Sequence, residues 1–174
     1  MTKPRILVTG ATGKTGVVVV TELLKADYPV RAMVHREDGR SAGLRALGAE
    51  IALADMSDVE HIADALKDVQ RAYFCPPLDP YMVQGAVAFA VAAKEARLEH
   101  IVGLTQWLSS PSHPSLMTRQ HWLVIHAMTT PDAPGSRRAH GGAVGCHLFH
   151  SYFHRAPTGD HARTRFPDSS ATST

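Results

Sequence analysis

Long apolar runs are missing from this sequence of 174 residues. None approaches the roughly 18 residues that a membrane span needs. The opening MTKPRILVTG has no extended apolar core of the kind a secretory leader carries, so a cytoplasmic protein with no membrane contact is expected. Cysteine is scarce: Cys75 and Cys146 are the only two, far apart and outside any C-x-x-C pair, which argues against a redox pair or a zinc ribbon. An excess of charge of one sign is lacking too. A formal net charge of +2 is too small for the electrostatic footprint of a nucleic-acid binder. The length and the balance of apolar and charged residues fit a globular chain with one sizeable core.

The informative segment is TGATGKTG, residues 9–16. GKT at Gly13, Lys14 and Thr15 resembles the end of a nucleoside-triphosphate loop, but that motif requires a glycine five positions before Gly13. Val8 stands there, inside the β-branched and aliphatic run RILVT, which reads as a buried strand. Gly10, Gly13 and Gly16 remain, spaced G-x-x-G-x-x-G between that strand and the apolar stretch VVVVTELLKA. Gly10 suits a tight turn, Gly13 a close approach of backbone to a pyrophosphate, and Gly16 close packing of helix on strand.

Strand and helix signals alternate through the first hundred residues. YPVRAMVH reads as a second strand with Val30, Ala32 and Val34 on one face, and SAGLRALGA as a short helix stopping at Gly48. AEIALAD is a third strand; SDVEHIADALKD is a helix with Ser57 or Asp58 as N-cap and Val59, Ile62, Ala63 and Leu66 on one face. VQRAYFCPP is a fourth strand closed by two prolines, PYMVQGAVAFAVAAKEARLE a long helix, and HIVGLT a fifth strand. This order specifies parallel pairing through right-handed crossovers. The expected fold is an α/β, Rossmann-type doubly wound parallel sheet in three αβα layers, incomplete at its C-terminal end, with a dinucleotide-binding domain over 1–128 and an irregular or disordered tail over 129–174.

At the end of the second strand an Asp or Glu would bind the ribose hydroxyls of NAD. His35 and Arg36 stand there instead. Arginine offers a planar, permanent charge suited to a 2′-phosphate, so NADP(H) is preferred and NAD(H) remains possible. Glu37 and Asp38 follow at once, and either could be brought to the ribose by one turn of loop.

With ILVTGATGKTG, VRAMVHR, ALADMSD, FCPPLDP and HIVGLTQW in these places, the sequence resembles the NmrA-like group of atypical short-chain dehydrogenases over roughly residues 5–125. The resemblance implies that the loop from Gly10 and Ala11 through Thr12, Gly13, Lys14, Thr15 and Gly16 receives the pyrophosphate, with Lys14 and Thr15 acting through their backbone. It also implies that Asp55 and Met56 edge the adenine, and that the loop Cys75, Pro76 and Pro77 passes beside the pyrophosphate and the nicotinamide ribose. No catalytic residue is assigned. The Tyr-x-x-x-Lys pair of the main dehydrogenase family is absent, and the segment expected to carry it is SLMTRQHWLVIHAM, in which Arg119 or His121 could act as donors. Two functions stay open: NADPH-dependent reduction of a quinone or small carbonyl compound, and a non-catalytic sensor of the cofactor's redox state. An inactive, truncated remnant is a third.

No lysine follows Lys94, no glutamate follows Glu99, and eight of eleven histidines fall from His113 onward. From Thr129 sustained periodicity is lost, apart from the short apolar patch VGCHLFHSYF. Three accounts stand: a natural disordered extension, a metal site at Cys146, His147, His150 and His154, and a reading frame displaced shortly after RQHWLV. The last fits the composition best, and no metal is expected.

Overall fold

The computed structural model describes residues 3–106 and 108–128, together with the backbone of 144–149. Among the described residues eleven elements follow in order: β1 (Ile6–Val8), α1 (Lys14–Lys25), β2 (Val30–Val34), α2 (Gly39–Ala46), β3 (Glu50–Leu53), α3 (Val59–Ala65), β4 (Arg71–Phe74), α4 (Met82–Glu95), β5 (His100–Gln106), α5 (Leu116–Met128) and β6 (Val144–Phe149). The sheet order is β3-β2-β1-β4-β5-β6. The first five strands pair in parallel, so the chain reverses its direction of winding between β1 and β4. In doubly wound sheets that switch point is where ligands bind, beyond the carboxyl ends of the strands.

Each face of the sheet is covered by its own cluster. Val8, Val20, Val30, Ala32, Val34 and Leu44 form the layer under α1 and α2. Leu7, Ile62, Leu66, Phe74, Phe89 and Val124 form the other, under α3, α4 and α5. The Phe74 and Phe89 rings, 4.6 Å apart between centroids, fix α4 on β4. Coverage on both faces explains why β2 is buried at all five positions, beyond the single face read from Val30, Ala32 and Val34. Arg31 is carried inside with it and is neutralised there. Its guanidinium donates to the carbonyls of Ala65 (2.8 Å) and Lys67 (2.6 Å) at the end of α3 and pairs with Glu50 at 2.9 Å.

Helix starts follow chemistry legible in the residues. Asp38 caps α2 in a reciprocal box with Ser41, and Asp58 caps α3 through the N–H groups of Glu60 and His61. On α3, Ile62, Ala65 and Leu66 are buried, whereas Val59 is exposed. Several chain reversals use left-handed residues other than glycine, at Asp27, Asp68 and Arg97, with φ of 55°, 58° and 56°. No glycine marks these stops in the sequence.

Within the region expected to be irregular, Val144–Phe149 forms a strand antiparallel to β5, with Ile101 opposite Phe149 and Gln106 opposite Val144. It coincides with the apolar patch. The rest of 129–174, including His150 and His154 of the considered metal set, lies outside the described residues, as do the side chains of Cys146 and His147. Among the described residues no helix is long and apolar enough to cross a membrane.

Candidate dinucleotide site

The carboxyl end of β1 is built around close backbone contact. Gly10 adopts φ +59°, and a Cβ there would stand 3.2 Å from the Cys75 Cβ at the end of β4. Gly16 faces the same turn: a Cβ on it would run into the Gly10 carbonyl and lie 2.8 Å from the Ala11 Cα. Thr9, fully buried, ties the two strand ends together. Its hydroxyl accepts from the Cys75 N–H at 2.8 Å and donates to the Cys75 carbonyl at 3.1 Å. Thr9→Val keeps the shape and deletes both bonds, so a loss of about 1–3 kcal/mol in chemical denaturation is expected.

The helix that this turn launches differs from the next two. Gly13 is the N-cap of α1, no side chain caps it, and its first turn contains no acid. The starts of α2 and α3 each receive an aspartate. The first-turn N–H groups and dipole of α1 are thereby left for an anion from outside the chain.

A cavity of about 530 Å³ opens over the switch point, within the size range of small-molecule and cofactor sites. Gly10 and Thr12 line it from the β1–α1 turn; Met33, Val34 and His35 from the end of β2; Ala54, Asp55, Met56 and Ser57 from the β3–α3 loop. Cys75, Pro76, Pro77, Asp79 and Tyr81 close it from the β4–α4 loop, with Gly85 of α4 behind them. A Cβ on Gly85 would come within 2.9 Å of the Met56 side chain.

Seven of the residues expected from the sequence therefore share one cavity: Gly10, Thr12, His35, Asp55, Met56, Cys75 and Pro76. Ala11 and Gly16 are buried behind the turn, while Gly13, Lys14 and Thr15 are exposed at the start of α1, and Arg36 is exposed just beyond His35. Pro77, expected with Cys75 and Pro76, lines the cavity too, whereas Ser57, Asp79 and Tyr81 as its walls are new. The loop after the double proline carries no pattern that marks a wall.

The local electrostatics have identifiable causes. The Ser57 backbone N–H, followed by its hydroxyl, holds the Asp55 carboxyl below its ordinary range. Burial pushes the Cys75 thiol up, away from thiolate chemistry. Arg40, ahead of the Ser41 N–H, lowers Asp38. The two acids left as alternatives for the ribose are both engaged: Asp38 caps α2, and Glu37 accepts from Arg45 at 2.6 Å.

The donors considered after β5 do not line this cavity. Arg119 donates to the carbonyls of His113 (2.7 Å) and Pro114 (3.1 Å). His121 is buried in α5, and desolvation lowers its pKa, so the ring is neutral at neutral pH. His121 thus sits in the layer, whereas Trp122 is half-buried, its ring tilted against that of His126 with centroids 3.9 Å apart.

A glycine turn at the switch point of a 3-2-1-4-5 parallel sheet defines a Rossmann-type α/β protein. The chain belongs to the NmrA-like family, whose model matches residues 2–114. It is 35% identical over 118 residues to an NAD(P)H azoreductase of Xenophilus azovorans, covering 68% of this chain and 40% of the relative. Its fold is similar to the triphenylmethane reductase of Citrobacter sp. complexed with NADP(H), with a TM-score of 0.63 and 24% identity over 70% of this chain and 44% of that one. It is also similar to the NADPH-dependent quinone oxidoreductase of Escherichia coli complexed with NADPH, with a TM-score of 0.60 and 26% identity over 70% and 43%. The chain spans about two fifths of the length of these relatives.

Proposed function

We propose that the cavity binds a nicotinamide dinucleotide, NADP(H) in preference to NAD(H), and that the chain carries the cofactor-binding part of an oxidoreductase for a quinone or other small carbonyl acceptor. The observation that carries this reading is the disposal of acids at the end of β2. With Asp38 spent on α2 and Glu37 on Arg45, the side chains left at the end of β2 to meet the adenosine ribose are His35, in the cavity wall, and the exposed cation Arg36 beside it. Relatives named for NAD(P)H- or NADPH-dependent reduction agree with it.

When bound, the cofactor supplies hydride, and the protein's part is binding, orientation and exclusion of water. The open start of α1 receives the pyrophosphate. Asp55 and Met56 meet the adenine, and Cys75 and Pro76 stand beside the nicotinamide ribose. Arg36→Glu is expected to weaken NADPH binding by about 10–100-fold, the equivalent of one charge-assisted contact reversed, while NADH changes by less than about threefold.

One observation favours a second reading, a cofactor sensor without turnover: Arg119 and His121 are both committed away from the cavity. NADPH consumption with a panel of quinones separates the two. Saturable, protein-dependent oxidation supports the oxidoreductase; tight binding with no turnover across the panel overturns it in favour of the sensor.

A further inference from the structure

Helix α4 carries a single glycine, Gly85, among five alanines. Glycine is a poorer helix former than alanine, so its place inside this helix calls for a packing reason. The reason is Met56. A Cβ on Gly85 would stand 2.9 Å from the Met56 Cγ, 3.4 Å from the Met56 carbonyl oxygen and 3.6 Å from the Pro77 Cγ. Met56, Pro77 and Gly85 all line the cavity, so this contact is part of its wall. The helix has little freedom to retreat from an added methyl. Met82 and Phe89, about one turn to either side of Gly85, are fully buried, and Phe89 packs on the Phe74 ring. The loop under Met56 is pinned as well: the Asp55 carboxylate accepts from the Ser57 N–H at 2.8 Å, and the Asp55 carbonyl from the Asp58 N–H at 3.1 Å. What yields is therefore the Met56 side chain. Because the crowded atom is its Cγ, close to the backbone, yielding means a new rotamer that swings the whole thioether, and the open space it borders is the cavity.

We infer that Gly85 is a positioning residue for the adenine end of the cofactor: its missing side chain lets Met56 lie back against α4, and this sets the width of the slot that the base enters. The inference rests on the dinucleotide reading of the cavity and on the place that reading gives Met56. A base is flat and rigid, and a close-packed wall passes on a change of one methyl group, so the width of the slot sorts bases by size. Gly85→Ala fills the notch, turns Met56 toward the cavity and admits adenine less well. Met56→Ala acts in the opposite sense, because removal of the thioether leaves room for a base larger than adenine. Cutting Met56 back in the Gly85→Ala background removes the collision and reopens the slot.

Calorimetric titration of the full chain and of three variants, Gly85→Ala, Met56→Ala and the double variant, with NADP+ and with etheno-NADP+ tests this. The etheno form carries an additional ring fused to its adenine. Gly85→Ala is expected to weaken NADP+ by about tenfold and etheno-NADP+ by about 100-fold, whereas Met56→Ala lowers the native preference for NADP+ over the etheno form by about tenfold. The double variant is expected to bind NADP+ within about threefold of Met56→Ala alone. The ratio of the two affinities is the decisive quantity, since partial unfolding or a general loosening of α4 weakens both ligands in proportion and leaves it unchanged. A native ratio in Gly85→Ala, or a double variant as weak as Gly85→Ala, overturns the inference and leaves the dinucleotide reading standing. Met56→Ala decides the matter where Gly85→Ala does not fold, because an unchanged ratio in that variant overturns the inference as well. Failure of the native chain to bind NADP+ overturns both.

Discussion

Gly16→Ala is expected to reduce NADPH affinity by more than about 100-fold and to destabilise the chain by about 3 kcal/mol or more. The reason is local and severe. The added methyl would meet the Gly10 carbonyl and lie 2.8 Å from both the Ala11 Cα and the Gly10 carbonyl carbon. All three are backbone atoms, so no side-chain rotation relieves the overlap; either α1 lifts from β1 or the turn opens. Both responses move the N–H groups that face the proposed pyrophosphate. Gly43→Ala is the matched control. It lies inside α2 with nothing within 4 Å of its would-be Cβ, and alanine there is expected to stabilise by about 0.5–1 kcal/mol with unchanged affinity. Thermal or denaturant unfolding combined with titration checks the pair. Native-like binding by Gly16→Ala would show that the tight turn is not what the site depends on.

Arg31→Met carries the second large effect, on stability alone. The Arg31 side chain is 9% exposed, and its guanidinium closes the end of α3 through two carbonyls while pairing with Glu50. Methionine fills much of the volume but leaves those carbonyls without their donor. Glu50, half exposed, turns to water at small cost. A loss of about 2–4 kcal/mol is expected, dominated by the abandoned carbonyls. Arg31→Lys should recover only part of it, because a single ammonium cannot reproduce the forked geometry. Arg31 enters β2 at its amino end, away from the cavity, so any folded population of either variant should bind NADPH as the native chain does. Denaturant midpoints checked against affinities test both halves of this expectation.

The parts of the fold written in periodic apolar residues were legible before the structure. The run RILVT, the three glycines and the alternation through HIVGLT lead to the parallel pairing of the first five strands, and the prolines after Phe74 end β4 where expected. Much of the proposed site was legible for the same reason, since Gly10, His35, Asp55 and Cys75 all end or follow strands and topology brings strand ends together. Arg31 was not. A charged residue within a strand reads as solvent-facing until the helices on both sides of β2 are known. Tyr81 and Asp79 were missed because loop walls obey no period. His121 offered itself as a donor by residue type, whereas the position of α5 against α4 buries it. Asp38 was ambiguous in a different way: as an acid just after β2 it resembled a ribose ligand, but the serine three residues on makes it a capping box.

The most direct measurement is a fluorescence titration of the purified, monodisperse chain with NADPH and, separately, with NADH. Saturable binding of both, tighter for NADPH and weakened by Arg36→Glu, is the expected result for a dinucleotide site whose β2 end is cationic. No saturable binding of either cofactor by a folded sample, or equal affinity for the two that Arg36→Glu leaves unchanged, would contradict it.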